Sequence, residues 1–148
     1  ATQALYNALD FAHSNFENAM ERDYIMRVVC EATLSPDKRV RLAAFECLVS
    51  ISSTYYDKLA PYMQDLFSIT SKAVREDEEP IALQAIEFWS SICDEEIEIQ
   101  EEYGAEFSGE SEVPYFKFVK QALPALVPML LETLTKRKYQ TKKKRLGA

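Results

Sequence analysis

Few residues in this chain are of the types that most often carry out chemistry. His13 is the only histidine, and the three cysteines, Cys30, Cys47 and Cys93, include no pair with the spacing of a metal-binding or redox motif. Zinc sites and Ser-His-Asp triads depend on histidine or on closely spaced cysteines. We therefore predict no metal site and no cofactor, and we expect the cysteines to be reduced thiols within apolar helices.

Adjacent carboxylates at Asp94 and Glu95 are the remaining candidates for acid–base chemistry. Neighbouring residues on a helix point in different directions, and no glycine-rich loop or cluster of metal ligands accompanies this pair. The sequence therefore predicts no catalytic residue, and it favours a protein that is not an enzyme. An enzyme with an acidic active site is the weaker alternative.

Charge is distributed unevenly along the 148 residues, whose formal net charge is −7. Residues 76–112 contain fourteen acids and no Lys or Arg, whereas residues 136–148 contain seven bases and no acid. An acidic body repels nucleic acid and attracts basic or neutral proteins. We therefore predict no nucleic-acid binding. No apolar run is long enough to span a bilayer and no signal peptide opens the chain, so we also predict no membrane binding.

A helical unit recurs along the chain with a period of 40 to 41 residues. Residues 40–51 (VRLAAFECLVSI) align with residues 81–92 (IALQAIEFWSSI) at an offset of 41. The chain contains only three glycines, too few for the turns of a β-sandwich of this length. A repeat of this length is typical of HEAT or armadillo arrays. We predict an all-α, HEAT-repeat superhelical solenoid of about three repeats, with partial repeats at the ends.

Amphipathic patterns predict helices near residues 1–14, 20–34, 37–54, 57–75, 80–102 and 114–137. Residues 103–113 contain two glycines and several acids, and they are expected to form an exposed loop. Pro124 and Pro128 are expected to kink or shorten the last helix. We divide the chain into a repeat fragment, residues 1–137, and a basic tail, residues 138–148. The tail has no apolar face and is predicted to be disordered.

Two stretches of the sequence resemble the importin-β family of nuclear transport receptors. Residues 21–33 (ERDYIMRVVCEAT) look like the first, or A, helix of one of that family's repeats, and residues 82–96 (ALQAIEFWSSICDEE) look like the second, or B, helix of a later repeat. The resemblance covers about residues 1–137 and is strongest to plant members. It corresponds to the N-terminal half of the receptor, from the end of about its fifth repeat to the start of its eighth.

The resemblance implies a function in nuclear protein import. A helices of this family line the convex outside of the superhelix and bind Phe-Gly repeats of nucleoporins. B helices line the concave inside, where the importin-β-binding segment of importin-α, basic cargo or the GTP form of Ran binds. The implied locations are the cytoplasm, the nucleus and the nuclear pore complex. The family continues into an acidic loop where this chain has its basic tail, so functions of that loop are not implied.

The register of the resemblance implies a set of nucleoporin-binding residues on the A helices. The expected Phe-Gly contacts are Glu21, Tyr24 and Ile25 on one A helix and Tyr62 and Ile69 on its neighbour. Phe rings need shallow apolar pockets between adjacent A helices. The alternative interpretation is that these residues only pack adjacent A helices together.

The same register implies an acidic surface on a B helix. Glu87, Asp94 and Glu95, with Glu96 beside them, are expected to bind basic adaptor or cargo segments, or Ran. The alternative is a solvated acidic helix end. Trp89 lies among these residues in sequence, but its repeat register favours a position in the core.

Two non-enzymatic functions are therefore consistent with the sequence. The first is a nuclear import receptor fragment that binds nucleoporins, an adaptor or cargo, and Ran. The second is a generic HEAT or armadillo scaffold for protein–protein interaction, which has the same period but not the sequence of residues 82–96. That sequence favours the import receptor.

Overall fold

The computed structural model describes residues 4, 7–8, 12–103 and 115–146, with residues 137–146 described by their backbone alone. Within these residues the bounded α-helices are α1 (His13–Glu17), α2 (Ala19–Ala32), α3 (Lys38–Thr54), α4 (Met63–Glu76), α5 (Glu79–Tyr103) and α6 (Phe118–Leu146). Two 3-10 turns, Tyr56–Lys58 and Ala60–Tyr62, lie between α3 and α4. No strand occurs in the described part of the chain, as the all-α prediction requires.

Local sequence explains where several helices begin. The side-chain oxygen of Asn18 accepts a hydrogen bond from the backbone N–H of Met20 at the start of α2, at 3.0 Å. The side chain of Asp37 accepts one from the N–H of Arg39 at the start of α3, at 2.8 Å. Each contact satisfies an N–H group that has no partner inside the helix. Pro80 lies in the first turn of α5, where its missing N–H is not needed.

The helices pack as a stack of A and B helices. The A helix α2 packs against the B helix α3, and α4 packs in the same way against α5. Between repeats, the B helices α3 and α5 pack together, and the A helices α4 and α6 do likewise. Each repeat therefore buries its apolar faces against the next one, which explains why the apolar pattern recurs with the repeat period.

A single core cluster extends through both helix pairs. Its largest fully buried side chains are Phe16, Met26, Val29, Phe45, Leu48, Ile51, Leu59, Leu66, Ile81, Phe88 and Ile92. Trp89 is 8% exposed, and its indole N–H donates to the hydroxyl of Thr70 at 3.0 Å. The prediction that Trp89 lies in the core is therefore confirmed.

Polar side chains join consecutive repeats at a spacing close to the sequence period. Residues 36 to 41 apart are paired in Tyr56–Glu96, Lys38–Glu78, Lys58–Glu17, Tyr62–Asp23 and Arg41–Asp77. The last pair is bidentate, with both nitrogen–oxygen distances at 2.9 Å. These contacts fix one repeat relative to the next.

The start of α4 differs from the sequence prediction. A helix was expected from about residue 57, but residues 56–62 form two 3-10 turns and α4 begins at Met63. Pro61 lies in the second turn, where its missing N–H interrupts a regular ladder of helix hydrogen bonds. Most of the predicted first helix and most of the loop predicted at residues 103–113 lie outside the described residues.

The last helix is longer than predicted. The expectation that Pro124 and Pro128 shorten it is wrong, because α6 runs through both residues. Both prolines are exposed, so the carbonyl groups that lose an N–H partner can be hydrated. The helix also continues to Leu146 instead of ending near residue 137. Lys, Arg and Gln favour helix, and no glycine occurs in α6. The division of the chain at residue 137 stays a prediction.

Candidate protein-binding grooves

Two grooves lie between consecutive A helices. The first groove, between α2 and α4, has a volume of about 440 Å³. Its floor is formed by the buried side chain of Met26 and the half-buried side chains of Cys30 and Ile69. Its other lining residues are Asp23, Arg27, Glu31, Leu34, Tyr62, Asp65 and Ser68. The floor is thus aliphatic and sulfur-containing, and the rim is charged.

The second groove lies between α4 and α6 and is larger, at about 590 Å³. Three rings, Phe67, Trp89 and Phe118, contribute to its floor, together with Met63 and Ala122. Its rim consists of Ala60, Gln64, Ser68, Gln121 and Ala125. Phe67 meets Trp89 edge-on, with ring centroids 5.9 Å apart. Both grooves fall within the size range of sites that bind small apolar groups.

The structure separates the predicted nucleoporin-binding residues into two sets. Tyr62 and Ile69 line the first groove. Glu21, Tyr24 and Ile25 do not. At about 100° per residue they lie roughly 100° to 180° around α2 from the floor residues Met26 and Cys30. The structure therefore brings together only Tyr62 and Ile69, and a binding role for either set stays a prediction.

The residues on the opposite flank of α2 have contacts of their own. The carboxylate of Glu21 accepts hydrogen bonds from the side-chain amides of Asn15 and Asn18, at 2.7 and 3.1 Å. Tyr24 is 61% exposed, and the guanidinium carbon of Arg27 lies 5.5 Å from its ring centroid. Ile25 is partly buried against the core. Only Tyr24 of this set offers a largely open apolar surface.

The second groove was missed by the sequence analysis. Phe118, Ala122 and Ala125 recur at helical spacing, and the two alanines leave room beside the rings of Phe67 and Trp89. Such a pattern also describes ordinary core packing. Only the juxtaposition of α4 with α6 distinguishes a groove from a filled interface.

The predicted acidic residues lie on α5. Glu87 and Asp94 are exposed and, with Glu98, fall within about 40° on the helix surface. Glu95 borders them and is half-buried. Burial raises the pKa of the Glu95 carboxyl above its usual value, and the neighbouring charges of Glu98 and Asp94 raise it further. We call Glu87, Asp94, Glu95 and Glu98 the acidic stripe.

Glu96 does not belong to the acidic stripe, which corrects its inclusion beside the predicted binding acids. The residue is 6% exposed, and its Oε1 accepts a hydrogen bond from the Tyr56 hydroxyl at 2.9 Å. Its two oxygens also accept the backbone N–H groups of Phe118 and Val119. The carboxylate therefore caps the N-terminus of α6, where the helix dipole favours negative charge. Burial raises the pKa of the Tyr56 hydroxyl, and its hydrogen bond to Glu96 raises the pKa further.

The backbone at this junction is unusual. Lys117, immediately before α6, has a φ of 57°, which is in the left-handed region. That conformation turns the chain so that the first N–H groups of α6 meet Glu96. Because α6 forms one wall of the second groove, Glu96 and Tyr56 position that wall.

The described residues contain neither a candidate metal cluster nor a candidate membrane-spanning helix. They contain no group of three or more His, Cys, Asp or Glu side chains placed to hold a metal ion. None of the helices in this part of the chain is both long enough and apolar enough to cross a membrane.

Comparison with known proteins gives strong similarities, although no family model matches the chain. Importin subunit beta-1 of Arabidopsis thaliana is 76% identical over 136 residues, which cover 92% of this chain and 16% of the relative. A crystal structure of importin beta in an ammonium sulfate condition superimposes with a TM-score of 0.84 at 41% identity, covering 91% of this chain and 16% of that one. The HEAT-repeat solenoid predicted from the sequence is thereby confirmed.

Two further structures match with a TM-score of 0.79 and 40% identity, each covering 87% of this chain and 15% of the other. One is a Kap95:Nup1 complex. The other concerns Kap95p binding that induces the switch loops of RanGDP to adopt the GTP-bound conformation. The chain thus spans about a sixth of the length of the proteins it matches.

Proposed function

Because the chain belongs to the importin-β family, we propose that it contributes nucleoporin-binding A helices to a nuclear protein import receptor. The observation that carries this proposal is the pair of apolar grooves between successive A helices. The likeness to the Kap95:Nup1 complex supports it. The proposed locations are the cytoplasm, the nucleus and the nuclear pore complex.

An aromatic ring is a suitable occupant for both grooves. Their floors are apolar and partly open to solvent, so a ring that enters exchanges hydrated surface for contact with side chains. In the second groove, the edge-on arrangement of Phe67 and Trp89 leaves ring surfaces for a third aromatic group. Each contact is shallow, and binding through one groove is expected to be weak and rapidly reversible. Such binding suits a receptor that must pass along many repeats.

The opposite flank of α2 is proposed as a half-site of the same kind. Glu21, Tyr24 and Ile25 lie on one face of the helix, away from the first groove. An A helix packed on that flank would complete a further groove with Tyr24 as its aromatic wall. Within the described residues this flank presents the exposed ring of Tyr24.

The test of the proposal is a calorimetric titration with two peptides that differ only in replacement of Phe by Ser in a Phe-Gly sequence. We expect the Phe-Gly peptide to bind and the Ser-Gly peptide not to bind. The double variant Phe67→Ala/Ile69→Ala removes apolar floor from both grooves and should weaken binding about tenfold or more, as expected for loss of buried apolar area. Circular dichroism checks that the variant stays helical.

Leu83→Ala is the matched control, because Leu83 is an exposed apolar residue of α5 that lines neither groove. It should leave the affinity unchanged. Equal binding of the Phe-Gly and Ser-Gly peptides, or no effect of the double variant, would contradict the proposal. Equal binding would favour the alternative of a generic HEAT scaffold.

The acidic stripe favours a second, additional binding function. The carboxylates of Glu87, Asp94 and Glu98 are exposed along one face of α5, with the half-buried Glu95 beside them. They are complementary to a basic segment, such as the importin-β-binding segment of importin-α or basic cargo. A surface for Ran is the other proposed use of Glu87, Asp94 and Glu95. The likeness to the structure that concerns Kap95p and RanGDP supports it. Exposed ion pairs are individually weak, so binding requires several acting together.

A salt titration with an Arg-rich peptide tests this second function. Raising the ionic strength from about 0.1 M to about 1 M shortens the Debye length from about 10 Å to about 3 Å and should abolish most of the binding. The variant Glu87→Gln/Asp94→Asn/Glu95→Gln should weaken binding at low salt. A control that neutralises Glu31, Asp65 and Glu76, which are exposed acids of α2 and α4, removes the same charge outside the stripe. Equal effects of the two triple variants would show a nonspecific charge effect.

A further inference from the structure

The rim of the first groove carries an excess of negative charge. Three exposed carboxylates, those of Asp23, Glu31 and Asp65, line it together with one cation, Arg27. The guanidinium of Arg27 lies over the ring of Tyr24, which is not a lining residue. Asp23 also accepts a hydrogen bond from the hydroxyl of Tyr62 across the groove. A segment in this groove therefore passes carboxylates of both helices.

The charge of the Asp65 carboxylate affects the pKa of Cys30 at the floor of the groove. Burial raises the pKa of the Cys30 thiol to about 11, and the Asp65 carboxylate adds to that effect. Because Cys30 lines the floor on α2 and Asp65 the rim on α4, this coupling crosses the groove. The Asp65 carboxylate at the rim is therefore within electrostatic range of residues that flank a ring bound in the groove.

The second groove has a different rim. The described residues that line it include no Asp, Glu, Lys or Arg, and its polar side chains are Gln64, Ser68 and Gln121. Amides and hydroxyls accept and donate hydrogen bonds without a preference for the sign of a neighbouring charge. Both grooves thus have an apolar floor, but the rim of the first is acidic and the rim of the second is uncharged.

We propose that the first groove selects aromatic segments in which a positive charge lies next to the ring, whereas the second groove accepts such segments regardless of flanking charge. The inference rests on the proposed function, because it assumes that aromatic segments occupy the grooves. Two or three carboxylates at partly solvated positions should produce about a threefold to tenfold preference for a Lys-flanked segment over a Glu-flanked one at low salt. The chain would then sort Phe-Gly segments by their flanking residues.

Methionine methyl groups allow the two grooves to be observed separately. Met26 lines the first groove and Met63 lines the second. Met20, which is 83% exposed, and Met129, which is 2% exposed, line neither and serve as references. The complete chain, labelled at the methionine methyl carbons, is titrated by NMR with three peptides. They share one Phe-Gly core and differ in having Lys, Gln or Glu on both sides of it.

At low salt, the dissociation constant read from Met26 should be smallest for the Lys-flanked peptide and largest for the Glu-flanked peptide. The constants read from Met63 should agree within about twofold. At about 1 M salt the preference at Met26 should disappear, because the Debye length falls to about 3 Å. Equal constants at Met26 for all three peptides would overturn the inference, and so would an equal Lys preference at both methionines.

The variant Glu31→Gln/Asp65→Asn identifies the responsible groups. Both side chains are exposed, so the fold should be retained, and the preference at Met26 should fall to about twofold or less. The matched control is Glu101→Gln/Glu102→Gln, which removes the same charge from the exposed end of α5. The control should keep the preference, and loss of the preference in both variants would assign it to net charge.

Failure of the proposed function is distinguishable from failure of this inference. If no peptide shifts either Met26 or Met63, aromatic segments do not occupy the grooves, and both proposals are wrong. If the Gln-flanked peptide shifts both methionines but flanking charge has no effect at Met26, the proposed function holds and the charge selection is wrong.

Discussion

The two grooves show how one repeat geometry produces binding surfaces with different lining residues. Both lie between consecutive A helices, and α4 contributes a wall to each, with Ser68 lining both. The first has a floor of Met26, Cys30 and Ile69 under a charged rim, whereas the second has an aromatic floor under a neutral rim. The repeat period fixes where a groove forms, and the residues around it fix what the groove prefers.

The grooves also differ in how their outer walls are held. The Tyr62 hydroxyl donates to Asp23 across the first groove, at the surface. The α6 wall of the second groove is held by a buried carboxylate, Glu96, which accepts two backbone N–H groups and the Tyr56 hydroxyl. Buried polar contacts of this kind are costly to break. The second groove should therefore depend more strongly on a single residue.

The largest expected effect follows from removing that residue. Glu96→Ala leaves the Tyr56 hydroxyl and the N–H of Phe118 without their acceptor in a buried site, which should lower the free energy of unfolding by about 3 kcal/mol. It should also weaken peptide binding at Met63 and leave binding at Met26 unchanged. Urea unfolding and methyl NMR measure the two effects.

Glu98→Ala is the control for this substitution, because Glu98 is an exposed acid two residues further along α5. It should change the free energy of unfolding by less than about 0.5 kcal/mol. Similar losses for the two variants, or an equal loss of binding at both methionines, would contradict the role of Glu96 as the support of the second groove.

A smaller effect is expected from disrupting the ion pair between Arg41 and Asp77, which joins consecutive repeats. The Asp77 side chain is 15% exposed. Burial alone would raise its pKa, but hydrogen bonds from Arg41 and from the N–H of Glu78 outweigh burial and lower the pKa below its usual value. Asp77→Asn should lower the free energy of unfolding on the order of 1 kcal/mol at pH 7, as expected for an ion pair that solvent screens only in part.

The pH dependence of that effect has a defined sign. A folded-state pKa below the unfolded value stabilises the fold at pH values above about 3.9, and the contribution is lost as pH falls through the folded-state pKa. The difference between wild type and Asp77→Asn should therefore be constant from pH 7 to about pH 5 and shrink below about pH 4. A difference that grows on acidification would show that the Arg41 contact does not stabilise the fold.

A single substitution in the floor of one groove should weaken Phe-Gly binding in that groove alone. Ile69→Ala should weaken Phe-Gly binding about fivefold at Met26 alone, and Phe67→Ala should do so at Met63 alone, since each removes apolar contact from one floor. Dissociation constants from methyl shifts provide the measurement. Loss of binding at both methionines from either substitution would mean that the grooves act as one site.

The smallest expected effect concerns the reactivity of Cys30. Its raised pKa leaves little thiolate at pH 8, so iodoacetamide should label it slowly. Asp65→Asn removes one cause of the raised pKa and should speed labelling about twofold to threefold. Cys93, which lines neither groove, is the internal reference in the same mass-spectrometry experiment. An unchanged ratio would show that the Asp65 charge does not reach the floor.

Much of this fold could be predicted from the sequence, because HEAT helices carry their pattern locally. Apolar periodicity located the helices, and the match of residues 40–51 to 81–92 gave the spacing at which repeats are joined. The register of the resemblance named Tyr62 and Ile69, which line the first groove. Pro61 could have indicated the 3-10 turns. The two prolines of α6 suggested a kinked or shortened helix, but the helix is not shortened at either of them.

The roles that could not be predicted depend on contacts between distant segments. Glu96 is one of several acids in its stretch of α5, and only the docking of α6 makes it a buried cap. The three rings of the second groove come from distant parts of the sequence, at Phe67, Trp89 and Phe118, and each one taken alone fits a position in the core. Their shared groove depends on the small residues Ala122 and Ala125, whose position opposite α4 no local pattern specifies.

Photo-crosslinking tests most directly the claim that aromatic segments bind in the grooves. A Phe-Gly peptide with a photoreactive Phe analogue is irradiated with the complete chain, and the attachment sites are mapped by mass spectrometry. The competing apolar surface is the exposed stripe on α6 formed by Leu123, Val127, Leu131 and Leu134. We expect attachment at residues that line the grooves, such as Met26, Ile69, Met63 and Phe67, and suppression by excess unlabelled peptide. Attachment mainly to the α6 stripe or to the exposed face of α5 would contradict the account.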